Sequence, residues 1–325
     1  MSGLRDKIVD AKAPVIFYEV IPPTRETDQD VAKAYAECTV EMINSTSISV
    51  DAINLPEIRA ERRSAERTHA YEPKTDQRQF ACELRSQFNN KVDLVVNHCT
   101  VYENWEEQQE WLKETEQAFQ IDNLVLVGGE TSKVKYPGPS VTEMAQSVNY
   151  AYGDTFFCGG VTIPTRRHSD PRKDEPHRLF QKGQHGLEFF TSQVLYETDS
   201  IQGLLKNYDQ LCRENNESPK RIFLSFAPVS SKKDITFLRW LGVEMPKDVE
   251  KQLMKANIGV GWRSLQESKK LLETILNFVS DENIQVPLAL NVEHITRHNF
   301  ELSKEFIEQL GNIYYEHMGI GASTK

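Results

Sequence analysis

One stretch near the start of the chain is the starting point for the fold: Val15-Ile16-Phe17-Tyr18-Glu19-Val20-Ile21-Pro22-Pro23. Its β-branched and aromatic residues are typical of a buried strand, and the double proline predicts that the strand ends there. Glu19 is a carboxyl group inside this apolar run. An ionised carboxylate there is costly unless it is paired, solvated in a cleft or kept protonated. Two interpretations of Glu19 stay open: a salt-bridged strand end, or a functional group where a strand meets a loop.

Seven further apolar runs follow, separated by segments with helical spacing. The eight predicted strands are 15–21, 47–55, 92–97, 123–127, 155–163, 187–195, 221–227 and 286–291, and the clearest helices are 29–43, 76–89, 105–119, 141–151, 200–212, 261–278 and 297–315. Each strand is nearly continuous in apolar residues, as in parallel strands covered on both sides. The pattern predicts an α/β fold, a single (β/α)8 TIM barrel over residues 1–325, with two or three extra helices between strands seven and eight.

Polar residues collect where the predicted strands end. They are Glu19, Asn97-His98-Cys99-Thr100, Gly128-Gly129-Glu130-Thr131, Thr191-Ser192-Gln193, Ser230-Ser231, Asn291, Glu293 and His294. In such a barrel the carboxyl ends of all strands meet at one mouth, which holds the site. Each residue also has an ordinary explanation: His98 as a packing residue, Gly128-Gly129 as a turn, Gln193 as a partner of backbone groups. Together they predict a site for proton transfer and for hydrogen bonding to a heteroaromatic ligand.

Composition narrows the class of protein. The net charge of −10 argues against broad binding of nucleic acid or anionic membranes, because both need a basic field. No apolar stretch is long enough to span a membrane, and the first residues lack the order of a signal peptide. The five cysteines are scattered and predict reduced thiols, a cytoplasmic location and no structural metal site. The motifs of serine hydrolases and zinc peptidases are absent.

Residues 164–176 form the strongest loop candidate. The segment follows the fifth predicted strand, is basic at its centre and contains too many prolines for a continuous helix. A long loop at the carboxyl end of a barrel strand is a candidate lid or phosphate clamp. The alternative is a solvated surface loop.

Several strings, collinear over almost the whole chain, resemble the methylenetetrahydrofolate reductase family, whose catalytic domain is a (β/α)8 barrel. Residues 17–23 are similar to the family's Phe-Glu-Phe-Phe-Pro-Pro opening, and 98–100 to its His-Leu-Thr element. Residues 186–193 are similar to its Gly-Ala-x-x-x-Ile-Thr-Gln strand. The other strings that carry the resemblance are Arg67-Thr68-His69, Val229-Ser230 and Val243-Glu244-Met245-Pro246.

The resemblance implies roles for residues at the mouth. In the family, the glutamate matching Glu19 is the general acid, which protonates folate N5 so that the methylene bridge opens to an iminium that accepts hydride. A carboxyl in an apolar strand end has a raised pKa, which keeps its proton available near neutral pH. Glu130 matches the family's acidic residue after strand four, so Glu19 and Glu130 are the predicted catalytic residues. Gln193 matches the family's pterin-binding glutamine, and Asn291 is a further expected substrate contact.

The resemblance also implies cofactors: FAD, with NAD(P)H as cosubstrate. The residues expected to bind FAD are His98, Thr100, Gly129, Arg167, His168, Glu175 and Lys182. Residues 163–168 depart from the family's Tyr-Pro-Glu-x-His-Pro-Glu loop, and Lys232 stands where an aromatic residue packs against nicotinamide or folate. The basic residues of the 164–176 loop are a candidate site for pyrophosphate or for the polyglutamate tail of a folate.

Three functions are therefore weighed. The first is reduction of 5,10-methylenetetrahydrofolate to 5-methyltetrahydrofolate with NAD(P)H, through FAD or by direct hydride transfer. The second is a folate- or pterin-binding barrel without reductase activity. The third, glycoside hydrolysis by two carboxylates, is disfavoured because the four tryptophans fall in helical stretches and not at the rim. The expected partner is a small folate, with no nucleic acid or membrane, and a homo-oligomer is compatible with the sequence.

Overall fold

The computed structural model describes residues 3–320 apart from 62, 64–66, 89–91, 131–133 and 256–258. Eight strands form a closed barrel in chain order, every neighbouring pair is parallel, and β8 pairs back onto β1. The strands are β1 (Ile16–Val20), β2 (Ala52–Leu55), β3 (Asp93–Cys99), β4 (Asn123–Val127), β5 (Phe157–Thr162), β6 (Phe189–Ser192), β7 (Arg221–Phe226) and β8 (Leu288–His294). The predicted (β/α)8 TIM barrel is confirmed.

Helices surround the barrel. They are α1 (Leu4–Val9), α2 (Gln29–Ser45), α3 (Gln77–Phe88), α4 (Trp105–Gln117), α5 (Val141–Tyr152), α6 (Glu175–Gln184), α7 (Asp199–Glu214), α8 (Lys232–Trp240), α9 (Lys247–Leu253), α10 (Val260–Asp281) and α11 (Phe300–His317). In the part of the chain that the structure describes, α8, α9 and α10 lie between β7 and β8, which confirms the predicted extra helices. No helix in these ranges is long and apolar enough to cross a membrane.

Alternate residues of each strand face either the barrel interior or the helices. The interior cluster contains Val15, Phe17, Ala52, Val95, Val125, Phe157, Phe189, Phe223 and Ala289. Phe17 stacks on Phe223 with 4.0 Å between ring centroids and meets Phe189 edge-on at 6.0 Å. Residues of the opposite parity, such as Ile16 and Tyr18, join the larger cluster between strands and helices. This alternation determines which strand-end side chains reach the mouth.

Helix α1 closes the amino-terminal end of the barrel. Leu4 and Ile8 are buried against the interior cluster. Arg221, the first residue of β7, is only 1% exposed; its Nε donates to Ile8 O at 2.9 Å and its Nη1 to Leu288 O at 2.6 Å. These bonds offset the cost of burying a guanidinium group. Side chains therefore fill this end of the barrel.

Two strands are longer than predicted, and both extensions affect the site. β3 continues to Cys99, which pairs with Val127 of β4, and β8 continues to His294, which pairs with Val20 of β1. The apolar runs stop earlier because polar residues interrupt them, but backbone pairing with the neighbouring strands continues. The predicted loop 164–176 contains a short 3₁₀ turn at Pro171–Lys173 and ends where α6 begins.

The cysteines are separate thiols in the structure. All five cysteines are free thiols: Cys99, Cys158 and Cys212 are buried, Cys82 is half-buried and Cys38 is exposed. Within the described ranges, no group of His, Cys, Asp and Glu side chains is arranged to hold a metal ion.

Candidate functional site

Two carboxyl groups lie side by side at the carboxyl end of the barrel. Glu19 of β1 and Glu293 of β8 are register partners on adjacent parallel strands. Both have the parity of interior residues, since Glu19 follows Phe17 by two positions and Glu293 follows Asn291 by two. Each is half-buried, and neither forms a salt bridge with any residue that the structure describes. The salt-bridge interpretation of Glu19 therefore finds no partner here.

Amide side chains of the neighbouring strands donate hydrogen bonds to the pair. Asn54 of β2 donates Nδ2 to Glu19 Oε2 at 2.7 Å, and Asn291 donates Nδ2 to Glu293 Oε1 at 3.2 Å. The same Asn291 Nδ2 lies 3.0 Å from Ser225 Oγ. These neutral groups orient the carboxyls without supplying a positive charge.

Burial and mutual repulsion oppose full ionisation of the pair. Burial raises the pKa of Glu19 well above its usual value of 4.5, and the charge of Glu293 raises it further, whereas the bonds from Asn291 and Asn54 lower it. Burial also raises the pKa of Glu293, to about 7. Two carboxyls that interact this strongly lose their protons in two separate steps that belong to the pair. At neutral pH the pair therefore retains a proton, as a general acid requires.

Three amide oxygens near the pair accept no hydrogen bond from the described part of the chain. They belong to Asn54, Asn97 and Asn291, which have interior parity on β2, β3 and β8. The side chains of Asn54 and Asn291 are 1% and 0% exposed. A buried acceptor without a donor costs about 1 to 3 kcal/mol, so native proteins pair such groups with protein, water or ligand. The floor of the mouth therefore suits a ligand whose edge carries N–H donors.

Glu130, in the connection after β4, is held by two phenols. Its Oε2 accepts hydrogen bonds from the hydroxyls of Tyr102 and Tyr136, the latter at 2.7 Å. The Tyr136 ring covers Gly129, where a Cβ would lie only 2.4 Å from Tyr136 Cε2, so that glycine permits the close approach. Thr131, which completes the predicted strand-end string, lies outside the described residues. The catalytic role of Glu130 stays a prediction.

Gln193 follows β6 and ties two connections together. Its Nε2 donates to Leu241 O, just beyond α8, at 3.2 Å. A Cβ on Gly242 would lie 3.6 Å from the same Nε2 and 3.1 Å from Arg63 Nη1. The end of α8 and the connection after β2 therefore meet beside Gln193. Its predicted contact with a pterin remains untested.

A cation–π cluster borders this part of the mouth. The Arg67 guanidinium carbon lies 4.7 Å from the ring centroid of Trp240, 5.6 Å from Phe237 and 5.3 Å from Tyr71. The Arg63 guanidinium carbon lies 5.4 Å from the Trp240 centroid. An arginine that stacks on an aromatic ring can still use the N–H donors in its guanidinium plane to bond a carboxylate. A cationic and aromatic wall therefore stands next to Gln193.

His98 of β3 and Thr100 just after it, which the resemblance assigned to FAD, are engaged away from the mouth. His98 lies on the helix side of the strand, where its ring stacks on Trp111 with 3.7 Å between centroids. It is 1% exposed, and its Nε2 lies 2.6 Å from Gln108 Oε1. Thr100 is buried and donates Oγ1 to a backbone carbonyl at 2.9 Å. Because β3 runs to Cys99, strand alternation turns His98 outward, which corrects its expected place at the rim.

Glu175 and Lys182 of α6 are buried behind β5 and engaged there. Glu175 accepts from Ile163 N at 3.0 Å and pairs with Arg166 Nη1 at 2.8 Å. Lys182 donates Nζ to Val161 O at 2.6 Å, and burial lowers its pKa to about 8. Both side chains hold α6 and its preceding loop on the barrel wall, which corrects their expected position in a cofactor site.

The basic loop after β5 forms several of its bonds internally. Arg167 donates to Pro164 O at 2.8 Å and to the Ser200 hydroxyl at the start of α7. His168 is exposed, and its Nδ1 accepts from Asp170 N at 2.9 Å. Arg167 and His168 therefore help to shape the loop, and their binding of a phosphate or a folate tail stays a prediction.

In the described structure, the residues expected to bind FAD do not converge on one cavity. A cofactor site requires its side chains to converge on one cavity. His98 and Lys182 lie outside the barrel wall, Glu175 is bonded to its own loop, and Tyr136 covers Gly129. No catalytic step through FAD is therefore derived for this chain.

Two cavities lie away from the carboxyl pair. One of about 340 Å³ is mainly apolar and lies between α2 and the start of α11, where Tyr35 and Phe300 line it. The other, of about 250 Å³, lies beside His98 and is lined by Arg59 and Trp111 among others. Neither includes Glu19 or Glu293, so the chemistry of the side chains identifies the mouth better than cavity size does.

Two residues of the mouth have no individual role predicted from the sequence: Asn54, which is not singled out, and Glu293, which is predicted only as one of the polar strand-end residues. Asn54 could have been found as an amide inside the otherwise apolar strand Ala-Ile-Asn-Leu. Glu293 is two positions from Asn291, the spacing of residues on one strand face. Its pairing with Glu19, however, depends on the register between the first and the last strand, which no local pattern reveals.

The fold and the site together define a (β/α)8 barrel with a carboxyl–amide site at its carboxyl end. An uncharacterized protein from Clostridium thermocellum that binds two copies of 5-methyl-5,6,7,8-tetrahydrofolic acid is similar to it, with 19% identity and a TM-score of 0.78 over 95% of this chain and 99% of that one. The Bacillus cereus spore cortex-lytic enzyme SleL has 9% identity and a TM-score of 0.46, over 91% of this chain and 74% of the enzyme. No protein-family model and no curated protein matches this sequence. At these identities the similarity establishes the fold alone.

Proposed function

We propose that this chain binds a reduced folate, with the pterin ring in the barrel mouth above Glu19 and Glu293. The floor of the mouth carries the proposal, because a protonated carboxyl lies there beside buried amide oxygens that lack donors. A reduced pterin presents ring N–H groups and an exocyclic amine, which are the donors that such oxygens require. The similar clostridial protein, which binds 5-methyl-5,6,7,8-tetrahydrofolic acid, supports the same class of ligand.

The reaction proposed for this site is reduction of 5,10-methylenetetrahydrofolate to 5-methyltetrahydrofolate. The product carries its methyl group on N5, so the bond that breaks joins the bridge carbon to N10. N10 takes up the electron pair of that bond and a proton, which we assign to Glu19; this revises the N5 assignment that the resemblance implied. The iminium left on N5 then accepts a hydride from NAD(P)H, which leaves as NAD(P)⁺.

Isothermal titration calorimetry with 5-methyltetrahydrofolate tests the binding. We expect saturable binding to the wild type, weakened about tenfold or more in Asn54→Leu, because that variant loses both a buried acceptor and the donor to Glu19. Asn312→Leu, on an exposed position of α11, is the matched control and keeps wild-type affinity. If a folded wild-type protein gives no binding heat at any accessible folate concentration, the proposed ligand is wrong.

A folate-binding barrel without reductase activity is the second candidate. The observation that favours it is the failure of the expected FAD residues to converge on the mouth. It predicts folate binding without folate-dependent oxidation of NAD(P)H, with or without added FAD. Absorbance of NAD(P)H, followed with 5,10-methylenetetrahydrofolate present and absent, separates the two candidates. A flavin absorption band in the purified protein would instead show that FAD binds through other residues.

A further inference from the structure

Glu293 has no part in the reaction proposed above, yet it is the nearest ionisable neighbour of the proposed acid. It is the register partner of Glu19 across the β1–β8 junction that closes the barrel. Asn291, on the same strand face, donates to Glu293 at 3.2 Å and also lowers the pKa of Glu19, so one amide acts on both carboxyls. A second carboxyl in this place needs an explanation, because two negative charges at adjacent strand positions repel each other.

We propose that Glu293 is a positioning residue that shares one proton with Glu19 and holds it there until a bound ligand takes it up. Geometry supports this arrangement: the two side chains have interior parity on neighbouring strands, and amides flank them at fixed distances. Its use in catalysis rests on the proposed function, but the sharing of the proton does not.

In the part of the chain that the structure describes, no cation acts on the pair in a way that could replace the shared proton. Among the described residues, the strands on either side contribute the neutral groups of Asn54, Asn291 and Ser225. Tyr196, from the connection after β6, is a titratable group on another element whose pKa is affected by the charge of Glu293. Burial raises its pKa, and its hydroxyl donates to Ala227 O at 2.9 Å, so it remains neutral over the useful pH range.

The energetics of a like-charged pair follow from these contacts. With no countercharge nearby, the second ionisation must place two negative charges in a partly buried pocket, which raises the pKa of the group that ionises last. Burial raises the pKa of Glu293 to about 7 and raises that of Glu19 well above its usual value, so the two protons leave the pair in separate steps. A pair in this state has one proton to give across neutral pH, as in other carboxyl dyads.

Infrared spectroscopy of the ligand-free protein tests the shared proton directly. The carbonyl stretch of protonated carboxyls, followed against pH, is expected to show two separate steps for the wild type above the range of ordinary glutamates. Glu293→Gln leaves one step, about one pH unit or more below the upper wild-type step, because the repelling charge is gone. Glu19→Gln abolishes the upper step and leaves a single step near neutral pH. Difference spectra between each variant and the wild type isolate these bands.

Two further variants serve as controls for this titration. Glu188→Gln removes a carboxyl at the opposite end of the barrel, which is paired with Lys220 at 2.6 Å, and keeps both steps. Glu293→Asp keeps the second charge and restores two steps. The proposal is overturned if Glu293→Gln, folded by circular dichroism, keeps the upper step at its wild-type pH.

Folate turnover gives a second readout. A proton donor loses activity as pH rises through its pKa, so Glu293→Gln should move the alkaline limb of the rate profile down by about one pH unit, with little change at the acid end. A merely structural role would lower the rate equally at every pH and would contradict the proposal. If folate neither binds nor turns over while two infrared steps persist, the proposed function fails and the carboxyl pair stands.

Discussion

At the amino-terminal end of the barrel, Arg221 is buried and its donors are taken up by backbone carbonyls of α1 and β8. At the carboxyl end, Glu19 and Glu293 are partly buried, and the described residues give them no countercharge and give the amide oxygens beside them no hydrogen-bond donor. The barrel therefore has an arginine with its donors satisfied at one end, and at the other a pair of carboxyls that only neutral groups bond among the described residues. Polar groups whose hydrogen bonds are satisfied within the fold stabilise it and leave no group for a ligand to bond. Buried polar groups without a partner lower the stability of the fold, and a ligand can supply the missing hydrogen bond.

The largest effect on stability is expected from removing the hydrogen bonds of Arg221 at the amino-terminal end of the barrel. Arg221→Met removes the donors to Ile8 O and Leu288 O and is expected to lower the free energy of unfolding by about 3 to 5 kcal/mol. Urea denaturation measures this loss, and folate affinity of the folded fraction should not change. Arg213→Met, whose side chain is 55% exposed, is the control and should cost about 1 kcal/mol or less. A small loss for Arg221→Met would remove the contrast between the two ends.

The second test concerns stability at the open end. The folded-state pKa of Glu293 is raised from 4.5 to about 7, so its protonated form stabilises the fold fully below about pH 4.5, and that contribution is lost as pH rises through 7. Glu293→Gln has no carboxyl to ionise at this position. Its free energy of unfolding should therefore rise by about 3 kcal/mol relative to that of wild type between these pH values. Thermal unfolding across the pH range measures the difference. For Glu188→Gln, the difference in stability from wild type should not depend on pH. If the difference for Glu293→Gln is also independent of pH, the fold does not raise the pKa of the Glu293 carboxyl.

A third test asks whether the open end is catalytic. Glu19→Gln keeps the shape of the side chain and its hydrogen bond to Asn54 but has no proton to give. Turnover of 5,10-methylenetetrahydrofolate is expected to fall about 10²-fold or more, while folate affinity changes much less. Steady-state rates and calorimetry separate the two effects. Wild-type turnover in Glu19→Gln would remove the acid from the mechanism.

The smallest effect is expected from a change at His98, on the helix side of β3. His98→Phe keeps the stacking on Trp111 and loses the bond to Gln108, so it should cost about 1 to 2 kcal/mol of stability. Binding of folate, and of added FAD if any occurs, should stay at the wild-type level. Loss of ligand binding in a folded His98→Phe protein would show that the helix side of β3 takes part in the site.

The apolar runs predicted all eight strands, because a parallel strand buried on both sides needs a continuous apolar sequence. They predicted less about the rim. His98 was placed beyond β3 because Asn97 interrupts the run, whereas pairing with β4 carries the strand on and turns the ring outward. Glu293 is placed at the rim by the sequence, but its pairing with Glu19 is missed for the same reason, since β8 extends past Asn291. Strand ends are set by register with distant partners, and local patterns do not contain that information.

Helix α1 closes the amino-terminal end of the barrel, and the carboxyl pair lies at the opposite end. Among the described residues, Leu4, Ile8 and Arg221 fill the amino-terminal end, which leaves the mouth as the side open to water. A pterin lying over the mouth would cut that route. The number of protons on the pair would then be fixed before each ligand arrives, and a spent proton would be replaced only after the product leaves. The pH at the moment of encounter, and not during the chemical step, would set the fraction of productive complexes.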